Sequence, residues 1–323
     1  MKNPMRLLAA IAPLLFMPQQ AEAASAIKTV IVIAMENTDA DEIYDKKADA
    51  PYINGTLMPI AARASNFNDP LPHEIPSEPH YLWMEAGTNA FDDITFMDDD
   101  DPGPRKVKDQ TGKNQIVKNS TSSTEHLATQ LNGAWMSYQE GISANRCPIK
   151  SFGFYAAKHN PFVFFEDVSG NPPDRKNQFC IDHHKPYSEF AADLAAGRLA
   201  NYVFITPNLC HDMHGNKNCS KDAKPVNRIK AGDDWLKAEL PRIIKWVNDN
   251  AGVIFIIWDE GHKKQKLPFF AIGPGVKPGH DSAVAFDHGS LIRSVEEIFN
   301  LPILPKVSQN NNFADLFTPN SFP

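Results

Sequence analysis

Two apolar runs of strand length organise the chain. Residues 29–35 (TVIVIAM) break into Glu36, Asn37 and Thr38, and residues 252–258 (GVIFIIW) break into Asp259, Glu260 and Gly261. An unbroken Val/Ile run, without polar alternation, is what a parallel strand covered on both faces requires. A third such run, 201–206 (NYVFIT), a strand at Ala134–Tyr138 and a short one at Phe269–Ile272 follow the same pattern. Between them lie stretches with helical spacing: Tyr52–Ala64, Tyr81–Ala86 stopping at Gly87, Glu125–Leu131, Phe190–Gly197, Trp235–Asn250 and Ser290–Phe299. Strands alternating with helices predict an α/β fold, a mostly parallel central sheet flanked by helices. Residues 92–123 are polar and carry Pro102-Gly103-Pro104, which predicts a surface excursion. Its four successive aspartates, Asp98–Asp101, lack the alternating spacing of a calcium loop and are read as a solvated turn.

In open α/β sheets ligands gather beyond the carboxyl ends of the strands. Two strands ending in acids therefore share one oxygen-rich place. Either acid pair alone could cap a helix, but buried carboxylates repel one another unless a cation compensates them. Together, Glu36, Asn37, Asp259 and Glu260 predict a divalent metal site whose oxygen-only donors suit Mg, Ca or Mn.

Composition narrows the setting. The formal net charge of −7 argues against nonspecific binding to nucleic acid. Lys2 and Arg6 precede the apolar stretch Leu7–Met17 and the small-residue pattern Ala21-Glu22-Ala23, which predicts a signal peptide over 1–23, export to the periplasm or medium, and one catalytic domain over 24–323. No stretch approaches the roughly 20 apolar residues of a spanning helix, so no stable membrane anchor is expected. Cys147, Cys180, Cys210 and Cys219 form an even set, as expected of disulfides in an exported chain. Pairing Cys210 with Cys219 and Cys147 with Cys180 is preferred among the three possibilities; a thiolate zinc site is the rival, without any C-x-x-C spacing to support it. Oligomeric state is not legible.

A second constellation surrounds Ser77. Pro76 and Pro79 stiffen the loop, and the helix beginning near His80 would turn its amides toward it, a setting in which a serine can act as a metal-activated nucleophile or simply as a helix cap. Histidines supply a third. Lys158-His159-Asn160-Pro161 and His211-Asp212-Met213-His214 lie in loops, the latter just after a strand, where imidazoles can bind a phosphate oxygen or protonate a leaving group.

With these segments in hand, the chain resembles the bacterial and fungal phosphoesterases that include acid phosphatases and nonspecific phospholipases C, within the alkaline phosphatase superfamily. The resemblance rests on Met35-Glu36-Asn37-Thr38, Pro76-Ser77 with Pro79-His80-Tyr81, the two histidine tracts, Trp258-Asp259-Glu260-Gly261, and Asp287-His288-Gly289-Ser290-Leu291. It implies an alkaline-phosphatase-like three-layer sandwich, a metal held by Glu36, Asn37, Asp259, Glu260 and Ser77, and Ser77 as a nucleophile forming a phosphoserine. His159, Asp212 and His214 would contact the phosphoryl group or assist the leaving oxygen, with His288 a further member. The expected activity is hydrolysis of small phosphate esters, with an acid phosphatase first and a phospholipase C or other phosphodiesterase as the alternative. A noncatalytic metal- or glycan-binding protein is the remaining reading. Two departures stand out: Thr38-Asp39-Ala40-Asp41 replaces the Arg-Ser-Phe-Asp run common in the phospholipases, and His80 stands where related enzymes often have asparagine.

Overall fold

The computed structural model describes residues 27–108, 110–220 and 226–323; the expected signal peptide, 1–23, lies outside them. Strands β1 (Thr29–Met35), β2 (Ala62–Ala64), β5 (Trp135–Gln139), β6 (His184–Pro186), β7 (Tyr202–Thr206), β8 (Gly252–Trp258), β9 (Phe269–Ile272) and β10 (Asp281–Ser282) form an eight-stranded sheet, and β3 (Arg105–Lys108) pairs with β4 (Asn114–Val117) apart from it. The order is β10-β2-β9-β8-β1-β7-β5-β6. Only β9 runs against the others, pairing antiparallel with both β8 and β2. Every residue of β1 and β8 is buried, so both faces are covered, as the unbroken apolar runs demand. Each fully buried Val or Ile side chain there contributes about 1.5–3 kcal/mol, which makes the middle of the sheet the firmest part of the molecule.

Register delivers the chemistry. Met35 lies opposite Trp258, so Glu36 and Asp259 leave the sheet side by side, and the Asp259 N–H donates to the Met35 carbonyl at 3.0 Å. The carboxyl ends of β5 and β7 open onto the same edge, because β5, β7, β1 and β8 are mutually parallel.

Three sequence expectations are corrected. Residues 52–64 are not one helix: a π-turn over Ile53–Leu57 is followed by β2, which enters the sheet between β9 and β10. The Asp233 carboxylate accepts the N–H groups of Tyr52 and Ile53 at 3.0 and 2.8 Å and fixes where that turn begins. Next, the helix expected from Tyr81 begins at Ser77 and runs to Ala86. Pro76 provides the extended cap, and Pro79 sits in the first turn, where its missing N–H is not needed. The long helix starts earlier than its apolar spacing suggests, at Arg228 rather than Trp235, because the Asn227 side chain accepts the Lys230 N–H and the first turns are polar. Within the 92–123 excursion, β3 and β4 give order that its polar composition concealed.

Both preferred disulfides are present, Cys147–Cys180 and Cys210–Cys219. The second closes a loop that contains Asp212 and His214. Among the described residues, no helix is long and apolar enough to cross a membrane.

Candidate active site

Glu36 follows β1, and Asp259 and Glu260 follow β8; all three are buried, and one carboxylate oxygen from each lies within 4.8 Å of the others. Asn37 joins them from a left-handed backbone (φ 43°), its Nδ2 donating to Glu36 Oε2 at 2.9 Å and to Glu260 Oε1 at 3.1 Å, while its N–H donates to Asp259 Oδ1. The Ser77 hydroxyl donates to Glu260 Oε1 at 2.8 Å and lies 3.4 Å from Glu36 Oε2. Thus the first residue of the Ser77–Ala86 helix is aimed at the ends of both central strands.

His159 completes the wall. Its ring stacks on Tyr81 (centroids 5.1 Å apart), its Nε2 is 3.1 Å from Glu36 Oε1, and its Nδ1 is 3.5 Å from Asp212 Oδ2. Thr206, at the end of β7, donates to the His159 carbonyl. Asp212 is buried and accepts the His214 N–H at 2.7 Å, and the His214 ring centroid is 5.8 Å from that of His159. His214 Nδ1 is fixed on the Gly215 carbonyl, which leaves Nε2 as the second ring nitrogen for other work.

Charge is poorly balanced here. Burial pushes Glu36 from 4.5 up to about 7 against the pull of the Lys158 ammonium, burial pushes Glu260 to about 7 against the pull of His80, and burial followed by repulsion from Glu36 holds Asp259 and Asp212 well above the usual carboxylate range. Burial and the Lys158 ammonium hold His159 well below the ordinary imidazole value, and burial lowers His214 as well. Burial thus disfavours both the Asp212 carboxylate and the His159 imidazolium. Glu36 Oε1, Asp259 Oδ2, Asp212 Oδ2 and His159 Nε2 are buried without a hydrogen-bond partner. A hard divalent cation would compensate three crowded carboxylates with leftover oxygen lone pairs, so the residues fit one.

His288 stands apart. It heads the His288–Ile298 helix with Nε2 2.8 Å from the Trp258 carbonyl, and its ring meets His80 and Phe67. Among the described residues no hydrogen bond or ion pair joins it to Ser77 or the carboxylates. Its place is behind the end of β8.

Several neighbours were given no role from sequence. Lys158 Nζ lies 3.4 Å from Ser77 Oγ and pairs with Asp99, whose other oxygen accepts the Glu78 N–H at 3.0 Å. Asp99 therefore belongs to the site rim rather than to a solvated turn. His80 pairs with Asp69 at 2.8 Å, reaches the Ile75 carbonyl and lies 3.9 Å from Glu260, tying the serine loop to the acid cluster. Arg228 donates to the carbonyls of Asn37 and Met213, to Thr38 Oγ1 and to Glu42, clamping two loops of the site from behind. The sequence offered a signal for Lys158 and His80, which sit inside recognised tracts; Arg228 lies in an ordinary polar stretch.

The departure at residues 38–41 has a local explanation. Asp39 Oδ1 accepts the N–H groups of Lys263 and Lys264, joining the loops after β1 and β8. Gly261 is required between them, since a Cβ there would lie 1.9 Å from the Lys264 carbonyl oxygen.

Comparison with known proteins gives the chain its relatives. The chain is 27% identical over 293 residues to a phosphatidylinositol-3-phosphatase of Mycobacterium tuberculosis, covering 88% of this chain and 82% of that protein. It is 28% identical over 286 residues to an acid phosphatase of Aspergillus niger, covering 84% of this chain but only 58% of the fungal protein. The murine ectonucleotide pyrophosphatase/phosphodiesterase 5 shares the fold, with a TM-score of 0.54 at 12% identity over 90% of this chain and all of that one. A family model described as the Phosphoesterase family matches residues 64–302, and the chain belongs to that family, as a hydrolase acting on phosphoric ester bonds.

Proposed function

We propose that this chain is an exported, metal-dependent phosphomonoesterase of the acid phosphatase kind that works through a phosphoserine on Ser77. The observation that carries the reading is the Ser77 hydroxyl, 2.8 Å from Glu260 Oε1 at the head of a helix, facing a carboxylate cluster in which Glu36 Oε1 and Asp259 Oδ2 are buried without a hydrogen-bond partner. Glu36, Asn37, Asp259, Glu260 and Ser77 Oγ would hold the cation, with the Asn37 amide turned to present its oxygen. When bound, the ion acts as a Lewis acid and lowers the pKa of the serine hydroxyl.

The chain's own groups then divide the work. Glu260 Oε1 accepts the Ser77 proton, and Oγ forms a bond to phosphorus as the bond to the ester oxygen breaks. The proton held by Asp212 passes through His159 to that departing oxygen, and His214 Nε2 contacts the phosphoryl group. Water next attacks the phosphoserine, releasing phosphate and returning the protons. His288, behind β8, supports Trp258 and His80 rather than touching substrate.

Two disulfides support residence outside a reducing compartment. Both relatives bear the names of phosphatases, which favours the monoester reading over a phospholipase C. The test is Ser77→Ala assayed on an aryl phosphate, beside wild-type protein that has been chelated and then given Mg, Ca or Mn singly. Turnover should vanish in the folded variant and return to the chelated wild type with one of the ions. A Ser77→Ala protein that releases phosphate at the wild-type rate overturns the assignment.

A further inference from the structure

The acid cluster and Ser77 would serve a phosphomonoester or a phosphodiester equally well; the distinction must come from what surrounds the other phosphoryl oxygens. Lys158 is the side chain placed to make it. Four-fifths of that side chain is buried, and Nζ is 3.4 Å from Ser77 Oγ. Burial opposes its charge, but Glu36 and Asp99 outweigh burial and keep it an ammonium. Asp99 cannot easily release it, because the same carboxylate caps the helix through the Glu78 N–H. Arg228, another cation beside the site loops, is occupied by Asn37, Thr38, Met213 and Glu42.

We infer that Lys158, held in place by Asp99, selects phosphomonoester dianions over phosphodiesters; this rests on Ser77 being the nucleophile. An ammonium has three donors. One is taken by Asp99 and one points to Ser77 Oγ, so a third remains for a phosphoryl oxygen on phosphorus attacked by that Oγ. A monoester presents three unesterified oxygens and two charges, and one of those oxygens meets the ammonium. A diester has one charge fewer and carries its second carbon substituent on one of those oxygens, and packing that carbon against the ammonium strips water from a charge without replacing it. Charge complementarity and shape thus discriminate in the same direction.

The experiment compares kcat/KM for an aryl monophosphate and a bis-aryl phosphate in wild type, Lys158→Met and Lys158→Arg, with thermal unfolding of each protein. Loss of a charge-assisted contact to a transferring phosphoryl group should lower the Lys158→Met value for the monoester about 100-fold or more and that for the diester less than about 10-fold. Inorganic phosphate should weaken as a competitive inhibitor of Lys158→Met in parallel, and Lys158→Arg should restore most of the monoester preference. Equal losses on both substrates, or a larger loss on the diester, overturn the inference. If Lys158→Met does not fold, Lys158→Gln, which keeps a polar side chain of similar reach, is read by the same ratio. Wild-type protein inert toward both substrates would instead defeat the reading of Ser77.

Discussion

The helix that Ser77 begins has an acid–histidine cluster at each end, and the two are completed differently. Near its carboxyl end Glu85 and Asp167 flank His126: Nδ1 lies 2.9 Å from Glu85, Nε2 is 3.1 Å from Asp167, and Thr129 and the Ala128 N–H occupy neighbouring lone pairs. Burial lowers the pKa of His126, yet the bonds to Asp167 and Glu85 win and the net shift is upward. The His126 ring answers both carboxyl groups, and only Glu85 Oε2 is left over. At the amino end Glu36 and Asp212 flank His159, which is itself pushed toward the neutral form, and Asp259 and Glu260 crowd against Glu36. Both clusters contain a buried histidine, and Asp167 alone among their acids reaches the surface. The difference is compensation: in the first each ring nitrogen of the histidine faces a carboxylate, and in the second Glu36 Oε1, Asp259 Oδ2, Asp212 Oδ2 and His159 Nε2 are all left without a hydrogen-bond partner.

Glu36→Gln should separate them most sharply. Its kcat/KM on an aryl phosphate is expected to fall by about 1000-fold or more, as for loss of a charged group that holds a catalytic metal. The chelated variant should nonetheless unfold at a higher temperature than chelated wild type, since one repelling charge is gone. The pH dependence carries the same message. Glu36 and Glu260 rise from 4.5 to about 7 on folding, so the folded state holds protons that the unfolded state has lost. Their stabilising effect is full below 4.5 and disappears as pH climbs through about 7. Chelated protein should therefore lose stability over that window, and a divalent cation should restore it.

His126→Gln tests the other cluster. Removing one partner of a buried charged set costs about 3–5 kcal/mol, seen as a lower unfolding temperature. Activity at a temperature well below unfolding should stay within about twofold of wild type, because nothing in this cluster faces Ser77. His126 is raised above 6.5 on folding, so its contribution is present below 6.5 and lost as pH rises through the raised value; added cation should not restore it. Restoration by cation here, or its failure at Glu36, would erase the contrast.

The same contrast explains what could be read from the chain alone. β1 and β8 were legible because burial on both faces forces unbroken apolar runs, and the abrupt acids after them marked the site. Ser77, His159, Asp212 and His214 were legible through their local tracts, and the structure brings all four to the strand ends. What escaped is whatever depends on contacts distant in sequence. Lys158 acquires a partner only when the aspartate run folds back over the helix start, and Arg228 reaches Asn37 and Met213 from the beginning of a different helix. β2 was hidden because three small and polar residues gain strand geometry only from β9 and β10. The helix start at Ser77 was masked by two prolines, which read as loop punctuation in sequence but serve as cap and first turn in space.

The smallest effect concerns how the site loop is held. Gly232 lies in the Arg228–Asp249 helix where a Cβ would meet Met213 Cγ at 2.3 Å and the His211 carbonyl at 3.1 Å. Met213 is itself left-handed (φ 78°) and sits between Asp212 and His214. Gly232→Ala gains about 1 kcal/mol of helix propensity and loses about 1–3 kcal/mol to overpacking, so stability should change little. Activity should drop about 10-fold, because the added methyl displaces Met213 and with it the flanking Asp212 and His214, and small misplacements of reacting groups are costly. Gly55→Ala is the control: it adds the same methyl to a helical turn where no atom lies within 4 Å, and should leave activity unchanged. If the two variants have equal activity, the packing of this helix does not set the position of the Asp212–His214 loop, and the uncompensated cluster is held by the sheet and the Arg228 clamp alone.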